Sequence, residues 1–190
     1  MFELRYATPQ TWVDAVLADF DTFLQDHAAA EKKASGMAIS MLSHYPDRNR
    51  LVEAMMDLSI EEMTHFRSVV KIMMERGVQL SADEKDPYIN QFRKAIRKGS
   101  DAYFLDRLIT AGIIEARGCE RFALVGEALP EGKLKQFYIA IAESEGRHNT
   151  LFYDLALEYF PKETVEQRMD ELLDIEADIV RELPIRSALH

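Results

Sequence analysis

Apolar residues recur every three or four positions through most of the chain, which is the period of an α-helix, and no alternating run competes as a strand. Thr8-Pro9 reads as an N-cap followed by proline in the first turn and predicts a short helix to about Ala18. A long helix follows from about Asp21 to His44, where Tyr45-Pro46-Asp47 stops it. Asp47 is the expected cap of a second long helix that reaches about Arg76, with Gly77 as its stop signal. So short a link makes these two helices antiparallel. The longest interruption runs from Gly77 to Ser100, a polar loop over Ser81 to Pro87 and then a short helix carrying Arg93, Lys94, Arg97 and Lys98. Two further long helices are expected from Asp101 to about Leu129, before Pro130, and from Glu131 to about Phe160, before Pro161. A last, acidic helix from Lys162 to Leu183 keeps one packing face of Val165, Met169, Leu172, Leu173, Ile175 and Ile179.

Four of these apolar stripes are broken by acids and histidines in a repeating pattern. Glu62-Met63-Thr64-His65 and Glu145-Gly146-Arg147-His148 are two copies of Glu-x-x-His, and residues three apart share one face of a helix. Each copy therefore presents an oxygen and a nitrogen ligand to the same point. A lone glutamate precedes each copy by one helix, Glu31 before Glu62 and Glu115 before Glu145, at separations of 31 and 30 residues. Leu24, Ala28, Ala38 and Leu42 share the stripe of Glu31, while Met55, Leu58, Val69 and Ile72 flank Glu62 and His65. Phe104, Leu108, Ala111, Gly112, Cys119 and Phe122 surround Glu115, and Phe137, Ile141, Phe152 and Leu155 surround Glu145 and His148. Buried carboxylates need compensation, and two divalent cations balance four glutamates. The pattern predicts one helical hairpin used twice to build an all-α, ferritin-like four-helix bundle with a dimetal site in its core, one long crossover and extra terminal helices. Its expected metal ligands are Glu31, Glu62, His65, Glu115, Glu145 and His148.

Composition narrows the chemistry. A length of 190 residues suits a single domain over 1–190. The start of the sequence has neither a secretion signal nor an apolar stretch long enough to span a bilayer, so a soluble, cytoplasmic protein without a membrane partner is expected. One cysteine, Cys119, excludes an intrachain disulfide and any Cys-rich metal module, including the electron-transfer module of rubrerythrin-like peroxidases, and its place on the Glu115 stripe suggests packing. Carboxylates and imidazoles without thiolates suit iron, manganese or zinc, with two iron ions (Fe2+/Fe3+) and dioxygen as co-substrate the first choice. No catalytic residue beyond the metal ligands is expected. Storage ferritins carry a single Glu-x-x-His, so two copies point away from them, while bacterioferritin and quinone-precursor hydroxylases stay open on the ligands alone.

Several longer stretches carry a resemblance. Thr8 to Trp12, Asp26 to Lys33, Glu61 to Phe66, Ser144 to His148 and above all Ile114-Glu115-Ala116-Arg117-Gly118-Cys119-Glu120-Arg121-Phe122 resemble the MiaE family, tRNA-(2-methylthio-N(6)-isopentenyladenosine) hydroxylases. The likeness spans about Thr8 to Tyr159. It implies a non-haem di-iron monooxygenase that hydroxylates the isopentenyl side chain of a modified adenosine beside the anticodon, with the same six ligands and two electrons from an external reductase or ferredoxin. Against a tRNA partner stands a net charge of −10, reduced to −6 by two divalent cations. The expected compensation is a basic helix edge of Arg93, Lys94, Arg97 and Lys98 facing the anticodon arm. Arg117 and Arg121 are further candidates unless they pair with neighbours such as Glu120, and His27, one turn before Glu31, is read either as packing or as facing the site. Ala111, Gly112 and Gly118 either open a pocket for an isoprenoid tail or allow close helix packing. Competing readings are a di-iron hydroxylase of a small lipophilic substrate and an iron-storage or detoxification module; only a large hollow oligomer would suit the last, and a small oligomer is expected.

Overall fold

The computed structural model describes residues 2–190, which form seven helices and no strand. In order these are α1 (Gln10–Ala18), α2 (Phe20–His44), α3 (Asn49–Glu75), α4 (Pro87–Lys94), α5 (Ser100–Ala128), α6 (Lys133–Tyr159) and α7 (Lys162–Glu182). Among the described residues no helix is long and apolar enough to cross a membrane.

Helix ends follow local chemistry. Asp19 caps α2 by accepting from the Thr22 N–H. The start of α3 differs from expectation, because Arg48 rather than Asp47 is its N-cap and supplies no side-chain bond. The Arg48 N–H instead closes a turn onto the Tyr45 carbonyl at 3.2 Å, which absorbs Pro46 and Asp47 before the helix begins. At the far end Gly77 takes a φ of 74°, and the N–H groups of Gly77 and Val78 reach back to the Met74 and Met73 carbonyls, closing the helix as expected. Helix α4 begins at Pro87 under the Asp86 cap and ends at Lys94, so Arg97 and Lys98 lie beyond it and the four cations form no continuous helix edge. The cause is Asp106, whose Oδ2 takes the Arg97 N–H at 2.8 Å and draws the chain out of the helical path.

The chain divides into two compact units. In the unit made of 14–84 and 186–189, α2 and α3 form an antiparallel hairpin whose buried faces carry Phe23, Leu24, Ala28, Ala38 and Met41 on one side and Leu51, Met55, Leu58, Val69 and Met73 on the other. Ser35 Oγ donates to the Ser59 carbonyl at 2.8 Å across the pair. The segment after α3 is strapped along α2 by Gln25 to the Gln79 carbonyl, Lys32 to Asp83 and Lys33 to the Glu84 carbonyl.

In the unit made of 2–13, 85–185 and 190, α5 and α6 form the second hairpin, with α7 packed on it and α4 against α7. Tyr138, rather than the half-buried Phe137, is the aromatic sealed in by α6. The acidic helix α7 covers the hairpin with Val165, Leu172, Leu173, Ala177 and Ile179, but it also buries two charges. Arg117, fully inaccessible, uses all five guanidinium donors: to both oxygens of Glu176 at 2.8 and 3.0 Å, to Glu120, to Thr8 Oγ1 and to the Tyr6 carbonyl. Tyr88 donates to the same Glu176 at 3.1 Å. Asp106 is likewise sealed, held by Arg168 from α7 at 2.8 and 2.9 Å and by Arg97 at 2.7 Å. Such pairs add little net stability over apolar packing, yet breaking one strands a buried charge.

Candidate metal centre

Glu31 comes from the middle of α2, and Glu62 and His65 from one face of α3. His65 Nδ1 lies 3.6 Å from Glu31 Oε2 and 3.5 Å from Glu62 Oε2. The second unit repeats this. His148 Nδ1 on α6 lies 3.7 Å from Glu115 Oε2 on α5 and 3.5 Å from Glu145 Oε2 on its own helix. Both triads are built from one glutamate on the first helix of a hairpin and Glu-x-x-His on the second, so the repeat in spacing is a repeat in geometry. Five of the six residues are buried, and the His65 side chain is 12% exposed.

Burial of this many ionisable groups leaves an electrostatic signature. Burial pushes the Glu31 carboxyl above its ordinary range, against the pull of His27 and His65. For His65 burial works to lower the pKa, but the carboxylates of Glu31 and Glu62 outweigh it and raise the imidazole to about 9. Both shifts favour protonation at positions where a cation would bring the same compensation. In each triad the ligand atoms lie within 4.8 Å of one another. Atoms that bond one ion at about 2.0–2.2 Å stand roughly 3.0–3.5 Å apart, so the separations need only slight contraction. Two oxygens and one imidazole nitrogen without thiolate fit iron or manganese.

His27 distinguishes the first triad from the second. His27 is fully buried one turn before Glu31, and its Nε2 donates to Glu31 Oε1 at 2.6 Å. Its counterpart one turn before Glu115 is Ala111. His27 therefore faces the site, one of the two roles open to it from sequence.

Other candidates sort differently. Arg93, Lys94, Arg97 and Lys98 are all exposed, and Arg97 is tied to Asp106. Arg117 and Arg121 are buried rather than presented to a partner; Arg121 stacks on the Trp12 ring at 4.9 Å, and burial beside Arg117 lowers its pKa to about 10. The space a Cβ would take at Gly112 is filled by the Phe2 ring, and that at Gly118 meets Phe122 at ordinary contact distance, so both glycines serve packing. Cys119 is half-buried, with a thiol pushed up by burial and by the acids Glu120 and Glu115. The buried acids Glu176 and Asp106 escaped the sequence reading. Glu176 sits between Leu172-Leu173 and Ile179-Val180, an interruption of an apolar stripe of the same kind that marked Glu115.

The sequence pattern of one family, described as tRNA-(MS[2]IO[6]A)-hydroxylase (MiaE), matches residues 2–190. The chain belongs to the MiaE family. A tRNA 2-(methylsulfanyl)-N(6)-isopentenyladenosine(37) hydroxylase of Pseudomonas putida is 32% identical over 92% of this chain and 84% of its own length. A protein of the same name from Salmonella typhimurium is 29% identical over 93% of this chain and 67% of its own. Among solved structures, a Synechococcus protein described as having aldehyde deformylating oxygenase activity matches with a TM-score of 0.93 and 33% identity, covering 98% of this chain and 94% of that one. This MiaE chain has the expected all-α, ferritin-like fold.

Proposed function

We propose that this MiaE chain is a di-iron monooxygenase that hydroxylates the isopentenyl side chain of 2-(methylsulfanyl)-N(6)-isopentenyladenosine in tRNA, beside the anticodon. The observation that carries the reading is the conjunction of a family match over 2–190 with two buried Glu, Glu, His triads of equal geometry. Glu31, Glu62 and His65 would hold one iron, and Glu115, Glu145 and His148 the other. Iron, when bound, would supply the redox chemistry that activates dioxygen.

The remaining work belongs to the chain. In the overall reaction one oxygen atom enters a C–H bond and the other leaves as water, which consumes two electrons and two protons. The sequence carries no flavin fingerprint, haem motif or Cys cluster, so the electrons come from an external donor. Four carboxylates would neutralise two divalent cations, and the buried apolar faces around the triads exclude bulk water from the site. His27 orients Glu31. Outside, Arg93, Lys94 and Lys98 offer phosphate contacts to the anticodon arm, and the target base leaves its stack at a cost of roughly a few kcal/mol.

One observation favours a second reading, oxidation of a small lipophilic substrate: the Synechococcus structure is as similar in sequence, 33% against 32%, as the first tRNA hydroxylase. The family match and both tRNA-hydroxylase relatives weigh for tRNA. The test is to supply iron-loaded protein with dioxygen, a chemical reductant and tRNA bearing the isopentenyl base, with a long-chain aldehyde in a parallel arm, and to analyse the products by mass spectrometry. A gain of one oxygen on the tRNA nucleoside is expected, absent from Glu62→Ala and His148→Ala proteins that stay helical. Turnover of the aldehyde alone would overturn the proposal.

A further inference from the structure

Helix α3 has a second face that neither the triad nor the hairpin core uses. Met56, Ile60, Met63, Arg67, Val70 and Met74 follow one another at intervals of four, three, four, three and four residues, the spacing of a coiled-coil seam. Ile60 is 66% exposed, Met74 72%, Met56 46% and Met63 44%. With Ile39 on α2, at 51%, these make up half of the large apolar side chains exposed among the described residues. Single exposed apolar residues are ordinary, whereas a continuous patch of this kind marks a contact surface. Between α2 and α3 the patch deepens into an open groove of about 570 Å³ walled by Ile39, Ile60, Met63, Phe66, Arg67 and Val70. On the α2 side Gly36 leaves open space where a larger residue would stand, so a helix can approach closely.

The charges beside the seam say which helix. Asp57 and Lys71 are exposed on the same edge of α3, fourteen residues apart, which is two heptads and so the same flank position. In an antiparallel pair of helices, equivalent flanks face each other. An antiparallel second α3 therefore sets Asp57 of each copy against Lys71 of the other, twice over one axis, with Ile60 opposite Val70 and Met56 opposite Met74. A parallel pairing brings no such match. Membrane-binding faces are rimmed by Lys and Arg, while this face has Asp57 with Lys71 on its flank and Glu53 at its end. We infer that the α2/α3 groove is the docking surface for a second copy of this chain, forming a two-fold dimer through antiparallel α3 helices. Arg67 is the seam's one charge, lying with its stem on Met63 of the second copy; it fixes the register and weakens the contact. The seam is about 30 Å long, a small interface, so the dimer is weak and concentration-dependent.

Sedimentation velocity on the purified full chain, over roughly 1–200 µM, reads this directly. The weight-average mass should rise from 21.8 kDa toward about 44 kDa. Asp57→Lys and Lys71→Asp should each weaken the dimer at least about tenfold, the double exchange should restore it, and Arg67→Met should tighten it. All four positions probed are exposed, and circular dichroism checks that the helices persist. A mass fixed at the monomer value, or a dimer indifferent to Asp57→Lys, overturns the assignment. So does failure of the double exchange to rescue. Flotation with lipid vesicles that is lost in Ile60→Asp, with the mass staying monomeric, would give the groove to a membrane surface instead.

Discussion

At the scale of single residues, the two triads share one design, and the first has the His27–Glu31 hydrogen bond where the second has Ala111 one turn before Glu115. Removing His27 leaves Glu31 without its 2.6 Å donor in a buried site, and orienting partners of this kind are worth about 10–100-fold in metal affinity or activity. His27→Ala should therefore lose iron from the Glu31 triad first, with His27→Gln recovering part of it. Iron content per chain after dialysis against a chelator reads the difference; equal retention in wild type and His27→Ala would remove His27 from the site. The protonation of His65 makes a second prediction. In the metal-free protein its pKa of about 9 stands above the ordinary value of 6.5, so its contribution to stability is complete below about 6.5 and is lost as pH rises through about 9. Iron needs the neutral imidazole, so iron uptake should release a proton near neutrality and its affinity should rise with pH toward about 9. Calorimetry in buffers of different ionisation enthalpy counts the protons, and no release at pH 7 would contradict the assignment. The six proposed ligands were legible because Glu-x-x-His has a fixed meaning on a helix. His27 was only half legible, since one turn of separation allows contact without requiring it.

At the scale of elements, the long helices were legible from period and punctuation to within a few residues, whereas two ends differed, one through a local turn and one through a tertiary contact. Asp47 lost its cap to the Tyr45–Arg48 turn, and α4 lost its last turn to Asp106. Asp106 is a partner that local sequence does not name. The same holds for α7, whose acidic composition suggested a solvated cover while Glu176 and Arg168 anchor it by buried charge. That anchoring is testable through Asp106. Burial pushes its carboxyl up, but Arg168 and Arg97 hold it below the usual range. Arg168→Leu should cost about 3 kcal/mol in unfolding free energy, because it strands most of a buried charge. Adding Asp106→Leu should recover much of that loss. Urea unfolding followed by circular dichroism measures both; additive losses in the double variant would show that the pair is not the source.

At the scale of the whole molecule, a chain of net charge −10 must bind an RNA through a local surface. All four cations of the expected basic edge are exposed, and Arg97 differs from the other three in being tied to Asp106. Replacing Arg93, Lys94 and Lys98 together by Gln should leave thermal stability within about 0.5 kcal/mol, because none of the three is buried. Arg97→Gln alone should destabilise the fold, since Asp106 loses a partner. On binding the order reverses. Each phosphate contact releases condensed counterions, so the triple variant should lower the slope of log affinity against log salt by about 2 to 3 for tRNA, with affinity falling most at low salt. Chemistry on a free modified nucleoside, which has no phosphates to contact, should stay within about twofold. The preference for tRNA over nucleoside is then the quantity to follow: it should be large in the wild-type protein and collapse in the triple variant. Filter binding across a salt series, together with turnover on both substrates, supplies the numbers. A triple variant that keeps both the salt slope and the tRNA preference would move the RNA contact to another surface while leaving the metal chemistry untouched.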